Sequence, residues 1–454
     1  MDMKKLFATG IATVLSVSLF LSSVGKVSAE ESKLTTYTIN FKGSSVPGNV
    51  KDLIEKAGGS VVKENSELAY VKASSKDPLF LDRVRKLDSV ESAGRSLKII
   101  QEKVVDAELV NVKDHSIYDQ YQWDIKQVTQ NGKSFTLPKG KGSKDVVVGV
   151  IDTGVDLNHP DIKANIVDAK SFVAGEDAND NNGHGTHVAG SIAANGMALG
   201  VGPELGIGAL KVFPKDGEAS TDTIAEALKY AADKDYDVVN MSLGSYMYLQ
   251  DPERDTNDIR AEINLFKKAI SYATKKGVTV VGSAGNAGAD IHNPAKLTKF
   301  LYGEDANGAT HRDPASNLLI RVSAGNKDKK LAYYSNYGVG KIDVMAPGGD
   351  LGPNYNPDTG QGRDNSYLCM STVPIFDAQK NIIGHGYGYK AGTSMAAPKV
   401  AGLAGVIIAK HGKNKLKPAQ VKSIIEQSAE DIYKKGKDEQ SGSGLINVVD
   451  ALNH

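Results

Sequence analysis

The sequence contains a single cysteine, Cys369, among its 454 residues. No intrachain disulfide can form, so the fold must be held by burial, with metal as the other available cross-link. Formal charges also cancel, with 54 basic and 54 acidic residues, so no global field would draw the chain to nucleic acid. We therefore expect no nucleic-acid partner, and we interpret Cys369 as a packed residue rather than a nucleophile.

After the N-terminus, no stretch is apolar enough to span a membrane. Near that end, Lys4 and Lys5 precede an apolar run (11–21) and a small-residue pattern (27–29). This layout predicts a secretory signal peptide, residues 1–29, and the run is shorter than the roughly 20 residues that a membrane anchor needs. We expect a secreted, extracellular protein with no membrane partner once the signal is removed.

The length favours more than one domain. Residues 34–100 show short strand and helix patterns in the order β-α-β-β-α-β, which predicts a small α+β module of the ferredoxin-like type. A polar stretch follows, and from Lys144 onward continuous β-branched runs alternate with helical patterns. We assign residues 30–103 to the module, 104–120 to a linker, and 121–454 to an α/β domain with a mainly parallel sheet.

Three short segments carry residue types suited to nucleophilic catalysis. Asp152 ends a buried strand, while His184, in "NNGHGTHVAGSIAA", and Ser394, in "GTSMAAP", each begin a predicted helix. Alone, these residues would be a turn former, a packed histidine and a helix cap. In the order Asp, His, Ser they match a known catalytic triad, in which histidine takes the serine proton and the carboxylate orients the imidazole.

Two other interpretations of these residues exist. His184 and His187 could bind a metal, but the helical H-E-x-x-H pattern of metalloproteases is absent, and we expect His187 to pack under His184. Ser394 could lie on a nucleophile elbow with a downstream acid and histidine, although the second glycine of that elbow is missing. The candidates for those downstream partners are Asp431, Asp450 and His454.

The motifs "VIDTGVDLNHPD", "NGHGTHVAGSIAA", "SAGN" and "GTSMAAP" resemble those of the subtilisin-like serine proteases. The resemblance covers nearly all of residues 144–453 and implies a three-layer subtilisin-like α/β fold. It implies that Asp152 is the triad carboxylate, His184 the general base and acid, and Ser394 the nucleophile. Asn286 then corresponds to the side chain of the oxyanion hole.

The resemblance also implies a peptide or protein substrate and a precursor form. The edge segment that pairs with an extended substrate corresponds to Ser242, Leu243 and Gly244. Residues 30–103 resemble the family's propeptide, which acts as a chaperone and an intramolecular inhibitor, and maturation is expected within 104–120, before roughly Asp119. We expect a monomer that is released into the medium, because the chain ends without a wall-sorting signal.

The chemistry implied by the resemblance requires no cofactor, and structural calcium stays open. The loop after the histidine helix offers few oxygens beyond Asn195. Asp114 and Asp161 are two further candidates, whereas calcium takes six to eight oxygens, so metal ligands stay unassigned.

Two long loops, 287–317 and 348–391, leave the specificity open. The acids of the first loop could favour a basic residue before the cut or could simply be solvated; they are Asp290, Glu304, Asp305 and Asp313. In the second loop, Tyr387 and Tyr389 could line a substrate groove or pack a hairpin. With "YDQYQWDIKQV", the loops resemble exported proteases that mature lantibiotic precursors. The alternatives are a broad-specificity degradative subtilisin and a catalytically dead binding protein.

Overall fold

A computed structural model of the chain describes residues 33–100, 104–110, 116–215, 217–243, 247–250, 256–293, 310–312 and 318–454. The predicted signal peptide therefore lies outside the described residues. The same holds for five residues that the sequence analysis names: Asp114, Gly244, Glu304, Asp305 and Asp313. In the described part of the chain, no helix is long and apolar enough to cross a lipid bilayer.

The strands and helices alternate along most of the chain. The strands are β1 Thr35–Phe41, β2 Ser60–Asn65, β3 Tyr70–Ser75, β4 Val90–Arg95, β5 Lys98–Ile100, β6 Val105–Val110, β7 Val147–Asp152, β8 Ile166–Ser171, β9 Gly206–Lys211, β10 Glu218–Ser220, β11 Val238–Met241, β12 Met247–Gln250, β13 Thr279–Ser283, β14 Thr310–Arg312, β15 Leu319–Gly325, β16 Val344–Pro347, β17 Cys369–Phe376 and β18 Ile382–Ala391. The helices are α1 Val50–Lys56, α2 Phe80–Arg85, α3 Ile117–Tyr121, α4 Trp123–Thr129, α5 His184–Ala193, α6 Thr221–Asp233, α7 Thr256–Lys275, α8 Thr393–His411, α9 Pro418–Gln427 and α10 Val448–Asn453.

The N-terminal module has the predicted β-α-β-β-α-β order. Its four antiparallel strands lie in the order β2-β3-β1-β4. Most of its buried side chains, among them Ile39, Phe41 and Phe80, form a separate apolar cluster, whereas Leu68 and Tyr70 pack in a cluster with α6 and α7. The module therefore has its own small core.

The main domain is built on a seven-stranded parallel sheet in the order β16-β15-β13-β11-β7-β9-β8. Successive residues of a strand face opposite sides, so Val150 packs into the core on the side of α5 and α8 while Ile151 packs against α6 and α7. Apolar residues on both faces of these strands explain the continuous β-branched runs in the sequence. The result is the three-layer α/β architecture that the sequence predicts.

The segment expected to be a linker contains a strand and part of a helix. β6 pairs antiparallel with β18, forming a three-stranded sheet in the order β17-β18-β6, and α3 follows it. Just upstream, β5 pairs antiparallel with β10. Main-chain hydrogen bonds to β18 hold β6 in its strand conformation. Because such pairing does not require alternating apolar side chains, the sequence pattern of β6 did not predict a strand.

Candidate active site

Asp152 and His184 meet where a strand ends and a helix begins. Asp152 is the last residue of β7, and His184 is the first residue of α5. His184 Nδ1 and Asp152 Oδ1 lie 2.7 Å apart, and both residues are almost completely buried. Asp152 Oδ1 also accepts a hydrogen bond from the Thr153 amide at 2.8 Å. The carboxylate thus fixes the imidazole orientation and leaves Nε2 as the functional nitrogen.

Asp180 holds the start of α5 in place. Its Oδ1 accepts hydrogen bonds from the Gly183 amide and from the Thr153 hydroxyl, at 2.9 and 2.8 Å. Its Oδ2 accepts from the amide and the hydroxyl of Thr186, at 2.9 and 2.6 Å. Because Thr153 follows Asp152 directly, this one buried carboxylate locks the strand end to the helix that carries His184. Asp180 was not predicted from the sequence, although an aspartate shortly before a helix start is a capping signal.

Lys211 lies under the same loop and was also missed. This residue ends β9 beside Asp152, and its side chain is fully buried. Its ammonium donates to the Thr153 carbonyl at 2.7 Å and lies 3.3 Å from Glu176 Oε2. The sequence offered no signal for this role, since a lysine at a strand end is usually exposed.

His187 lies in the core behind His184. Its Nε2 is 3.1 Å from the Cys369 carbonyl, and burial lowers its pKa well below the usual range, so the ring stays neutral. Among the described residues, no three His, Cys, Asp or Glu side chains come together as metal ligands. The Cys369 thiol is buried as well, and burial raises its pKa well above the usual range. These two side chains therefore act in packing.

Ser394 is the second residue of α8, and Ser242 contacts it twice. The Ser394 hydroxyl donates to the Ser242 carbonyl at 3.2 Å, and the Ser242 hydroxyl donates to the Ser394 carbonyl at 2.8 Å. His184 Nε2 has no hydrogen-bond partner within the described part of the chain. In this arrangement the serine proton points to a main-chain carbonyl rather than to the histidine.

Asn286 follows β13 and reaches the start of α8. Its Oδ1 accepts hydrogen bonds from the amide and the hydroxyl of Thr393, both at 2.8 Å. This orientation turns the amide nitrogen toward Gly392, and Nδ2 would lie 3.4 Å from a Cβ atom at that position. The Asn286 amide donor therefore lies beside the chain that leads into Ser394.

The structure gives local roles to most other candidates. Asp161 accepts hydrogen bonds from the Ala198 amide and from the Tyr387 hydroxyl, both at 2.8 Å. Tyr389 packs its ring near that of Tyr121, with the centroids 6.4 Å apart. Asp290 is half-buried and accepts from the His292 amide. Leu243 is half-buried and Asn195 is exposed.

The nucleophile-elbow alternative finds no support in the positions of its partners. Asp431 accepts a hydrogen bond from the Gly436 amide, and Asp450 accepts from Asn447 in its own helix turn. Both residues and His454 are exposed, whereas Ser394 is buried. The acid and the histidine that the structure brings into contact are Asp152 and His184.

Comparisons with known proteins agree with this geometry. The sequence profile of the Subtilase family matches residues 143–444. The nisin leader peptide-processing serine protease of Lactococcus lactis subsp. lactis is 30% identical over 90% of this chain, which spans 58% of that relative's length. The epidermin leader peptide-processing serine protease of Staphylococcus epidermidis is 28% identical over 87% of this chain and 89% of its own. The crystal structure of the epidermin leader peptide-processing serine protease from Staphylococcus aureus, 27% identical, superimposes with a TM-score of 0.74 over 93% of this chain and 98% of its own.

Replacing Asp180 by Ala should lower both stability and turnover. The change leaves buried donors of Thr153, Gly183 and Thr186 unpaired, which should destabilise the domain by about 2–4 kcal/mol. Thermal and urea unfolding in a Ser394→Ala background, where self-digestion is absent, would measure the loss. Asp177→Ala is the matched control, because Asp177 is an exposed acid of the same loop; equal effects of the two changes would contradict the capping role.

Proposed function

The chain belongs to the subtilase family, whose members are serine endopeptidases, and we propose that it is a secreted enzyme made as a self-processing precursor. The expected family and subtilisin-like fold are confirmed by the profile match and by the structural superposition. The observation that carries the proposal is the buried contact of His184 with Asp152, at the start of α5, a helix that packs against the helix carrying Ser394. Secretion rests on the signal pattern of residues 1–29.

In the proposed mechanism, the Ser394 hydroxyl turns from the Ser242 carbonyl to His184 Nε2. His184 then accepts the proton as Ser394 Oγ attacks the substrate carbonyl, and Asp152 stabilises the imidazolium. The Asn286 amide donates a hydrogen bond to the oxyanion that forms. His184 next returns the proton to the leaving amine, and water repeats the sequence on the acyl-enzyme. Subtilases need no cofactor for these steps.

The N-terminal module is proposed to be the intramolecular inhibitor, and its contacts with α6 and α7 support this role. Lys72 and Arg95 of the module pair with Asp222 and Asp258 of these helices, at 2.8 and 2.7 Å. The Asn40 amide donates to the Ala261 carbonyl at 2.8 Å. These contacts attach the module's sheet to α6 and α7 of the main domain.

β5, at the end of the module, and β6, which follows the module, support the proposed position of the maturation cut. β5 pairs with β10, and β6 pairs with β18 so that Val105 lies opposite Ala391, three residues before Ser394. The Val104 side chain would lie 3.0 Å from a Cβ atom at Gly392, beside the Asn286 amide. We propose that the cut precedes Val104, at the upstream edge of the expected linker.

A leader peptide is the proposed substrate class. Two relatives are named for processing lantibiotic leader peptides, and each matches 87% or more of this chain. A substrate of this kind is an extended segment, which suits an enzyme that binds its own β5 and β6 in extended form. We propose that a monomer carries out this cleavage outside the cell.

Ser394→Ala should abolish peptide hydrolysis and self-cleavage together. The expected loss in kcat is about 10⁶, a value known from a subtilisin's own nucleophile and carried over here. Fluorogenic peptides measure the first activity, and gel electrophoresis of the purified chain measures the second. Hydrolysis that persists in this variant would contradict the proposed nucleophile.

The unaltered chain should mature to a protein that begins at Val104. N-terminal sequencing of the processed form, together with its intact mass, identifies the cut. A mature chain beginning downstream of β6, near Asp119, would contradict the proposed cut before Val104.

The stability of the docked module should depend on pH through the ionisation of Glu262. This residue of α7 is 1% exposed, and α7 packs against β1 and β4 of the module. Burial, with a further contribution from the Asp222 carboxylate, raises the pKa of Glu262 to about 7 from its usual 4.5. Docking therefore favours the neutral acid. The stabilisation that comes from neutral Glu262 is fully present below pH 4.5 and is lost as the pH rises from 4.5 to about 7. Above that pH, the ionisation of Glu262 no longer changes the stability.

The unfolding temperature of the uncut Ser394→Ala chain should therefore fall between pH 4.5 and 7. Adding Glu262→Gln should remove this part of the pH dependence, because glutamine cannot ionise. The difference between the two variants isolates Glu262 from the other titrating groups. Identical pH profiles of the two would show that Glu262 does not control docking.

A further inference from the structure

Lys390 is a cationic residue in the substrate path that the proposed mechanism does not use. It lies in β18, four residues before Ser394, and is only 8% exposed. Its ammonium forms an ion pair with the Asp106 carboxylate of β6, which lies directly opposite in the strand register. Within the described part of the chain, Asp106 is the acid at ion-pair distance from Lys390.

The main chain of Asp106 is held by contacts that do not involve its side chain. The Arg363 guanidinium donates to the Asp106 carbonyl at 3.0 Å, and β18 pairs with β6 through main-chain hydrogen bonds. These contacts would accept any side chain at this position. The Lys390 contact is the one that distinguishes between side chains, since it requires a carboxylate.

We propose that Lys390 selects substrates with an acidic side chain at the third residue after the scissile bond. The proposal rests on the function proposed above, in which β6 marks the leaving side and Val104 is the first residue after the cut. An ammonium that is mostly removed from water is destabilised unless an anion pairs with it. A substrate with a neutral residue at this position leaves Lys390 without its counter-ion, whereas aspartate restores the pair seen with Asp106.

The competing explanation is that Lys390 only stabilises the fold. It predicts that changes at Lys390 alter stability or overall turnover but not the choice between substrates. The Asp106 carboxylate is 64% exposed, so the pair lies at the edge of the groove, where an incoming peptide could take the place of β6. The ratio of kcat/KM for an acidic and a neutral substrate therefore separates the two explanations.

The test uses two quenched fluorescent peptides with the sequence of residues 98–110. One contains the natural Asp106 and the other carries Asp106→Asn, which removes the charge and keeps the shape. For the mature enzyme we expect kcat/KM to be about five- to twentyfold higher with the aspartate peptide, the range for a partly desolvated charge pair. Lys390→Met, which keeps most of the aliphatic stem, should bring this ratio to about one, and Lys390→Arg should preserve the preference.

Arg363→Gln is the matched control, because Arg363 contacts the main chain of the same residue. It should lower kcat/KM for both peptides and leave their ratio unchanged. Equal cleavage of the two peptides by the unaltered enzyme, or a ratio that survives Lys390→Met, would overturn the proposal. Failure of the proposed function itself gives a different result, since neither peptide would then be cut and Ser394 would not react with a fluorophosphonate.

Discussion

The hydrogen bond between Asp152 and His184 sets the arrangement of the whole site. It joins the end of a central strand to the start of a buried helix, in a place where neither side chain has water as an alternative partner. A buried carboxylate is stabilised by donors in fixed positions, and Asp152 Oδ1 is contacted by His184 Nδ1 and by the Thr153 amide. The contacts of Asp180 with both Thr153 and α5 hold these two elements at one spacing.

Main-chain pairing is how the proposed inhibitor and the proposed substrate would use one cleft. β5 and β6 add to strands of the main domain at their edges, and such edges accept an extended chain largely without regard to sequence. Selectivity must then come from individual side chains along the path. The module adds a second attachment far from the chemistry, through the ion pairs of Lys72 and Arg95 with α6 and α7. The short strands β5 and β6 could thus stay in place before the proposed cut, even if neither binds tightly by itself.

The fold class could be predicted from the sequence, and the candidate site residues could be proposed from it, because their signals are local. A buried strand that ends in Asp152, and glycine-flanked helix starts at His184 and Ser394, can each be recognised within about ten residues. Asp180, Lys211 and the Ser242 contact with Ser394 could not be predicted in the same way. Their roles depend on which loops the sheet order brings together. β6 was missed for a related reason, since its strand conformation comes from pairing with β18.

The contacts of α4 indicate where the main domain begins in structural terms. Gln122 donates to the Leu199 carbonyl at 2.9 Å, and Trp123 donates to the Leu368 carbonyl at 2.9 Å. Asp124 forms a fully buried ion pair with Lys399 of α8 at 2.7 Å, and breaking a pair of this kind leaves an uncompensated charge in the core. These residues must stay in place for α8 to hold Ser394. β6 pairs with β18 through its main chain, and the proposed cut before Val104 leaves the contacts of Gln122, Trp123 and Asp124 intact.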